Sequence, residues 1–303
     1  MDLALYDPEV GYYRRDTVRV GRNPESDFYT AETHRAVFSA LVTASAVDLL
    51  DNRDAHTFVF VEVGAEPNEG ILAEALTNFG AIESIRVADS LRLPNRTICF
   101  SNELFDAQPF HRVVWKNDQW IELGVALDGL ELVWTDLDRL SPPVDAIRDE
   151  LPDRVLEGYT IDLPIAAREL MGRIVRPDWQ GAVVAIDYGK SWPFLCQECP
   201  EGSGRAYMKH RQHSDLLANP GMQDLTCHVC WDWLIEEMRE AGFRKIRVDS
   251  QESFFVKNAT EVIKEIISNS TGPLDKKLGQ LKSLLHPGIM GQKFQVLSAV
   301  RTE

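Results

Sequence analysis

Between residues 57 and 63 the chain reads Thr-Phe-Val-Phe-Val-Glu-Val, a near-continuous run of β-branched and aromatic side chains. Such a run predicts a strand buried on both faces, as in a parallel sheet. A glycine-containing loop follows from Gly64 to Gly70, and residues 71–76 then predict a short helix that stops near Gly80. Strand, glycine loop and helix in that order open nucleotide-binding α/β units. Further strand patterns fall at 84–88, 97–101, 111–115, 119–126 and 130–134, with Asp128-Gly129 marking a hairpin between the last two. Residues 182–186 read as a second buried parallel strand, preceded by an amphipathic helix over 163–175. A helix over 231–241 runs into Gly242, a residue suited to a helix C-cap. Late strands are expected at 244–248, 253–256 and 294–300, and further helices at 32–50, 260–268 and 275–285.

Helices alternating with strands predict an α/β fold with a doubly wound, mostly parallel sheet, to which the hairpin and the C-terminal strands add antiparallel edges. Neither an internal repeat nor a low-complexity linker interrupts the pattern. The expectation is therefore one decorated domain over 1–303. It has an N-terminal arm and helix over 1–50, a core sheet from about residue 56 and a hairpin insertion at 111–134. C-terminal helices and a strand occupy 258–303. The stretch 190–221, rich in Gly, Pro and polar residues, is long for a plain connection and is expected to be a lid.

Charge changes the picture of partners. With 32 Lys and Arg against 47 Asp and Glu, the 303-residue chain carries a formal charge of −15. A surface that acidic repels phosphate backbones and anionic lipid heads, so nucleic acid and membrane are excluded as partners and basic ones favoured. No apolar run approaches the ~18 residues of a membrane helix. The opening residues lack the pattern of a secretory signal, and a cytoplasmic setting with reduced thiols is expected.

The glycine after the first strand lets the chain turn sharply and brings backbone N–H groups towards a ligand, a signal that is weak by itself. The wider set of motifs is more specific. It comprises Ala4-Leu5-Tyr6-Asp7-Pro8 with Gly11-Tyr12-Tyr13, Asp27-Phe28-Tyr29-Thr30-Ala31, Glu62-Val63-Gly64-Ala65 and Ser101-Asn102-Glu103-Leu104-Phe105-Asp106-Ala107-Gln108-Pro109. It continues with Ile186-Asp187-Tyr188-Gly189, Arg205-Ala206-Tyr207 with His210-Arg211, Pro220-Gly221 with Asp224-Leu225-Thr226 and His228-Val229, and Met290-Gly291-Gln292-Lys293-Phe294. In this order the blocks resemble the MidA family of S-adenosylmethionine-dependent methyltransferases, and they span nearly the whole chain.

The resemblance implies a seven-stranded class I methyltransferase (Rossmann-like) sheet with insertions, S-adenosyl-L-methionine as cofactor, and methyl transfer to an arginine side chain of a protein. A protein substrate with a basic segment suits the acidic surface, and self-association as a homodimer is open. Asn102, Glu103 and Asp106 follow the 97–101 strand at the carboxyl edge, where they would orient a guanidinium. A plain capping or turn role is the alternative for Asn102 and Asp106. Asp187 would hold a substrate cation and Tyr188 would close the wall, again against a turn role. His228 would accept the proton lost by the guanidinium, against the blander reading of a histidine satisfied within a loop network. Arg205, Tyr207, His210 and Arg211 touch cofactor or partner, or form salt bridges.

Cofactor residues are expected at Glu62, Gly64, Gly70 and Asp89. The family loop usually reads Glu-x-Gly-Pro/Ala-Gly-x-Gly, whereas here Glu66 stands at the second glycine and Pro67, Asn68 and Glu69 delay the next one. Only seven residues separate Asp89 from Thr97. Either Asp89 is the ribose ligand and a helix is missing, or 84–88 is the third strand and the ribose ligand is lost; the second option is favoured. These departures support a competing reading, a catalytically silent relative that acts as a binding or assembly factor. No resident metal is expected, although Cys196-x-x-Cys199 and Cys227-x-x-Cys230 could together hold tetrahedral zinc.

Overall fold

The computed structural model describes residues 1–15, 31–65, 70–72, 78–209 and 211–302. They fall into two compact units. One comprises Met1–Thr17, Phe105–Leu170 and Gly189–Leu234; the other comprises Val18–Leu104, Met171–Tyr188 and Ile235–Glu303.

The second unit holds the central sheet, whose strands are β1 (Val59–Val63), β2 (Ala81–Ile85), β3 (Arg96–Asn102), β4 (Gln180–Asp187), β5 (Arg244–Ser250) and β6 (Gln295–Arg301). Their order is β5-β6-β4-β3-β1-β2. The four strands from β2 to β4 run parallel, while β6 pairs antiparallel with both β4 and β5. Strands β1, β3 and β4 are buried along nearly their whole length, as their largely apolar runs predict, with Glu62, Thr97 and Ser101 buried among them. The Arg35–Leu49 helix covers this sheet with Val37, Phe38, Leu41 and Val42, spaced three to four apart on one buried face. Phe38 meets Phe100 of β3 and Phe255 edge-on, with ring centroids 6.4 and 6.0 Å apart.

Three expectations need correction in this unit. Six strands, not seven, form the sheet among the described residues. The segment ending at Ile85 is not a third strand: it pairs in parallel directly with β1, Val59 opposite Ala81 through Val63 opposite Ile85. The connection from β2 to β3 then runs without a helix, so what is shortened is the stretch after the second strand. Residues 253–256 are not a strand but lie within the Gln251–Asn258 helix. Ser250 caps that helix, its hydroxyl accepting the Ser253 N–H at 3.2 Å, and Phe254 and Phe255 are both fully buried. Most of the helix expected over 71–76 lies outside the described residues.

The first unit is built on an antiparallel sheet in the order Glu131–Asp136, Gln119–Asp128, His111–Lys116 and Thr160–Leu163. The Asp128-Gly129 hairpin forms as expected, with Asp128 opposite Glu131 and Gly129 at φ +63°. The 190–221 stretch is not a bare lid. It contains the Trp192–Gln197 helix, capped by Ser191, and the hairpin of Arg205–Met208 with Arg211–His213. Leu195, Cys196 and Ala206 anchor it in the core.

Candidate functional site

From β1 the chain passes to β2 on one side of the sheet and next enters β3 on the other. The order therefore reverses between β1 and β3. In open α/β sheets ligands bind outside the carboxyl ends of the strands at such a switch point. Gly64 follows β1 at this rim with φ +86°, a left-handed conformation that costs other residues energy, and its N–H donates to the Ile85 carbonyl at 2.8 Å. A Cβ there would stand 2.8 Å from Leu104 Cδ1, a side-chain tip that can shift, so it is the backbone conformation that demands glycine. Glu62 is buried, and its Oε2 accepts the Ile71 N–H at 2.6 Å. A Cβ on Gly70 would come within 2.7 Å of that oxygen and 2.8 Å of the Ser84 hydroxyl. Glu62, Gly70 and Ser84 are thus brought together and pin the far end of the loop to the rim. The bulky substitutions at 66–69 lie outside the described residues.

The end of β3 supplies the next group. Asn102 stands opposite Ile186 in the β3–β4 register, one residue before Asp187. Its Nδ2 donates to Glu103 Oε1 at 3.4 Å. Its Oδ1 is buried and has no hydrogen-bond partner among the described residues. An orphaned buried acceptor calls for an explanation, and a ligand donor is one. Glu103 sits at φ +50°, held there by its N–H to the Ile186 carbonyl at 2.9 Å. Strained non-glycine backbone of this kind concentrates at functional sites. Asp187 is fully buried and its Oδ1 accepts the Tyr188 N–H at 2.7 Å. The Tyr188 ring packs on Phe294 at 4.3 Å, with Lys293 Nζ 6.0 Å from its centroid. Asp89 lies beyond the carboxyl end of β2, exposed, its Oδ2 accepting the Arg86 N–H at 2.8 Å.

Asp106 and His228 belong to the other unit. There Asp106 and Asp224 are both 5% exposed. The Tyr13 hydroxyl donates to Asp224 Oδ1 at 2.8 Å and the Tyr6 hydroxyl to the Ala107 carbonyl at 2.9 Å. The two rings stack, with centroids 5.6 Å apart. Burial, reinforced by Asp224 and Asp106, pushes both tyrosine hydroxyls above their usual range. Both tyrosines lie in the N-terminal motif, whose bare spacing gave no sign of these carboxylate neighbours. Burial, with Lys190 and Arg205 adding repulsion, lowers the His228 imidazole to about 4. It is therefore neutral at pH 7 and a weak base, with little driving force for taking up a proton. His210 lies outside the described residues.

The four paired cysteines do not converge on one point in this structure. Cys196 and Cys230 sit in one apolar cluster with Cys199 packed against it, whereas the Cys227 sulfur faces the Ser203 hydroxyl at 3.2 Å. Burial pushes the Cys196 and Cys230 thiols up to about 12, so they behave as protonated, apolar groups. No group of three metal-ligating side chains assembles among the described residues. The repeated Cys-x-x-Cys spacing fixes each pair locally but says nothing of the distance between pairs.

The sheet rim fits an adenosyl sulfonium cofactor. At Gly64 the loop after β1 turns left-handed, Gly64 and Gly70 let it close against the Leu104, Glu62 and Ser84 side chains at the rim, and Asn102 offers an acceptor unused among the described residues. Comparison with known proteins points the same way. A family model described as "Putative S-adenosyl-L-methionine-dependent methyltransferase" matches residues 48–248. The chain is 25% identical over 215 residues to protein arginine methyltransferase NDUFAF7, mitochondrial, of Danio rerio, a match covering 68% of this chain and 48% of that protein. It thus spans about half the length of the curated relative it matches. A crystal structure from Burkholderia thailandensis bound to S-adenosyl-homocysteine superposes with a TM-score of 0.85 at 24% identity, covering 99% of this chain and 86% of the other. The native crystal structure of an uncharacterised protein from the same organism gives 0.80 at 24% identity, over 99% and 85%. These two likenesses show the fold.

Proposed function

The chain belongs to this family of S-adenosyl-L-methionine-dependent methyltransferases, and from that premise we propose that it binds S-adenosylmethionine at the β1–β3 rim and methylates an arginine side chain of a protein. The observation that carries the cofactor reading is the cradle at Gly64, left-handed and pressed on Leu104, beside the orphaned Asn102 oxygen. The description of the Danio rerio relative supports arginine as the acceptor.

When bound, S-adenosylmethionine supplies a methyl group made electrophilic by its sulfonium. The protein's part is alignment and charge. Glu62 holds the loop end through the Ile71 N–H and so fixes the floor on which the cofactor rests. Asp89, exposed past the edge strand, would take the ribose hydroxyls. Asn102 and Glu103 would orient the guanidinium, the carboxylate binding its planar fork and favouring the charge that develops on methylation. Holding nitrogen and methyl in line removes much of the entropic part of the barrier. Asp187 keeps Tyr188 in place through its backbone N–H. Asp106 and His228 remain substrate-side proposals.

A catalytically silent binding factor is the second reading, favoured by Glu66 and Pro67 in a loop that the family fills with glycine. Titration calorimetry with S-adenosylmethionine and S-adenosylhomocysteine separates the two. Saturable binding with a Kd well below ~1 mM supports the enzyme; no heat up to that concentration removes it.

A further inference from the structure

Lys190 and Arg205 are two half-buried cations left without a carboxylate within ion-pair distance among the described residues, in a chain whose 47 acidic side chains outnumber its 32 basic ones. Strand register brings them to one histidine. Lys190 stands opposite Cys230 in the parallel ladder of Gly189–Lys190 with Val229–Cys230, two residues from His228. Arg205 stands opposite Thr226 in the antiparallel ladder, again two residues from His228. Both cations act on the His228 imidazole, which their charges help to lower. The Ser203 hydroxyl, accepting the His228 N–H at 3.2 Å, holds the Gly202–Gly204 turn in place.

Asp162, the acid whose charge acts on His228, is already committed. Asp162 accepts two bonds from Arg112, at 2.7 and 3.0 Å, and a third from the Gly204 N–H at 2.7 Å. Arg205 uses Nη1 on the Gly202 and Gly204 carbonyls at 3.2 and 2.6 Å, and its Nε and Nη2 hydrogens have no partner among the described residues. The Lys190 ammonium lies 4.9 Å from the Phe194 ring centroid and forms no hydrogen bond among the described residues. His228 Nδ1 is buried and unpartnered among the described residues. Buried and half-buried donors normally find partners, and among the described residues these three neighbouring groups lack the same kind of partner, an oxygen acceptor with negative charge.

We propose that Lys190, Arg205 and His228 form a binding site for an oxyanion, a carboxylate or phosphate group. The free edge of the guanidinium takes two of its oxygens or one twice, the ammonium neutralises it, and the imidazole donates from Nδ1. The neutral state of His228 suits this, because a third positive charge beside the two cations would be costly in the empty site. The inference does not rest on the methyl-transfer reading and can fail or stand without it.

The test is calorimetric titration of the whole chain, at neutral pH and constant ionic strength, with inorganic phosphate and separately with succinate. Saturable binding of one of the two is expected, and the tighter ligand identifies the group as phosphate or carboxylate. Lys190→Gln and Arg205→Gln should each weaken that binding about tenfold or more, since each removes a charge-assisted contact. Lys264→Gln, which removes an exposed lysine paired with Glu261, should leave it unchanged. Arg205 also bonds two carbonyls, so circular dichroism must confirm its variant is folded. If it is not, Lys190→Gln decides alone. Absence of saturable binding by the unmodified chain, or lysine and arginine variants that bind as it does, overturns the proposal.

Discussion

At the scale of single residues, the rim depends on two backbone conformations that side chains ordinarily avoid. Gly64 is required by its φ of +86°, while Leu104 Cδ1, 2.8 Å from where a Cβ would stand, would have to shift. Gly64→Ala should cost about 1–3 kcal/mol of stability and weaken S-adenosylhomocysteine binding. Adding Leu104→Ala should recover the steric part of the affinity loss but not the part due to φ. Calorimetry of the single and double variants measures both, and an unchanged affinity in Gly64→Ala would show that the loop does not carry the cofactor. Glu103 accepts a similar strain at φ +50° with a side chain attached, which suggests that the carboxylate is needed where it stands. Glu103→Gln keeps size and backbone while removing charge. Methyl transfer should fall by at least ~100-fold, as loss of a charged transition-state contact implies, with cofactor affinity nearly unchanged. Loss of both together would assign Glu103 to cofactor binding instead of the acceptor.

At the scale of elements, what the sequence made legible were the strands buried on both faces. Val59–Val63, Arg96–Asn102 and Gln180–Asp187 have no solvent-exposed face to break their runs, and the candidate residues Asn102, Glu103 and Asp187 could be placed because they end such strands. The Gln251–Asn258 helix was opaque for the opposite reason: Ser-Phe-Phe-Val is a short apolar run that fits strand and helix alike. What decides is the cap. Ser250→Ala removes the acceptor for the Ser253 N–H and should lower stability by about 1 kcal/mol, read as a shift in the urea midpoint with unchanged slope. A variant as stable as the parent would mean that burial of Phe254 and Phe255 holds the helix without its cap. The place of Ala81–Ile85 next to β1 was illegible because pairing is non-local, and the same holds for Lys190 and Arg205, which reach His228 only through strand register. Cysteine spacing misled for that reason too.

At the scale of the whole molecule, a formal charge of −15 acts before any contact forms. A field of one sign raises the local concentration of an oppositely charged partner and speeds its encounter, while an exposed charge beyond ~10 Å is screened at 0.1 M salt. If the substrate is an arginine in a basic segment, encounter should be salt-sensitive and the chemical step should not. The expected outcome is that kcat/KM for a basic peptide falls several-fold between ~0.05 and ~0.5 M salt, with kcat nearly constant. Affinity for S-adenosylhomocysteine, whose ammonium and carboxylate cancel, should change little over the same range. Steering by net charge and binding by the rim are thereby separable in one experiment. A kcat/KM that is flat in salt while kcat persists would retain the enzyme but dismiss the basic segment, because a protein this acidic cannot attract such a partner without ionic strength opposing it.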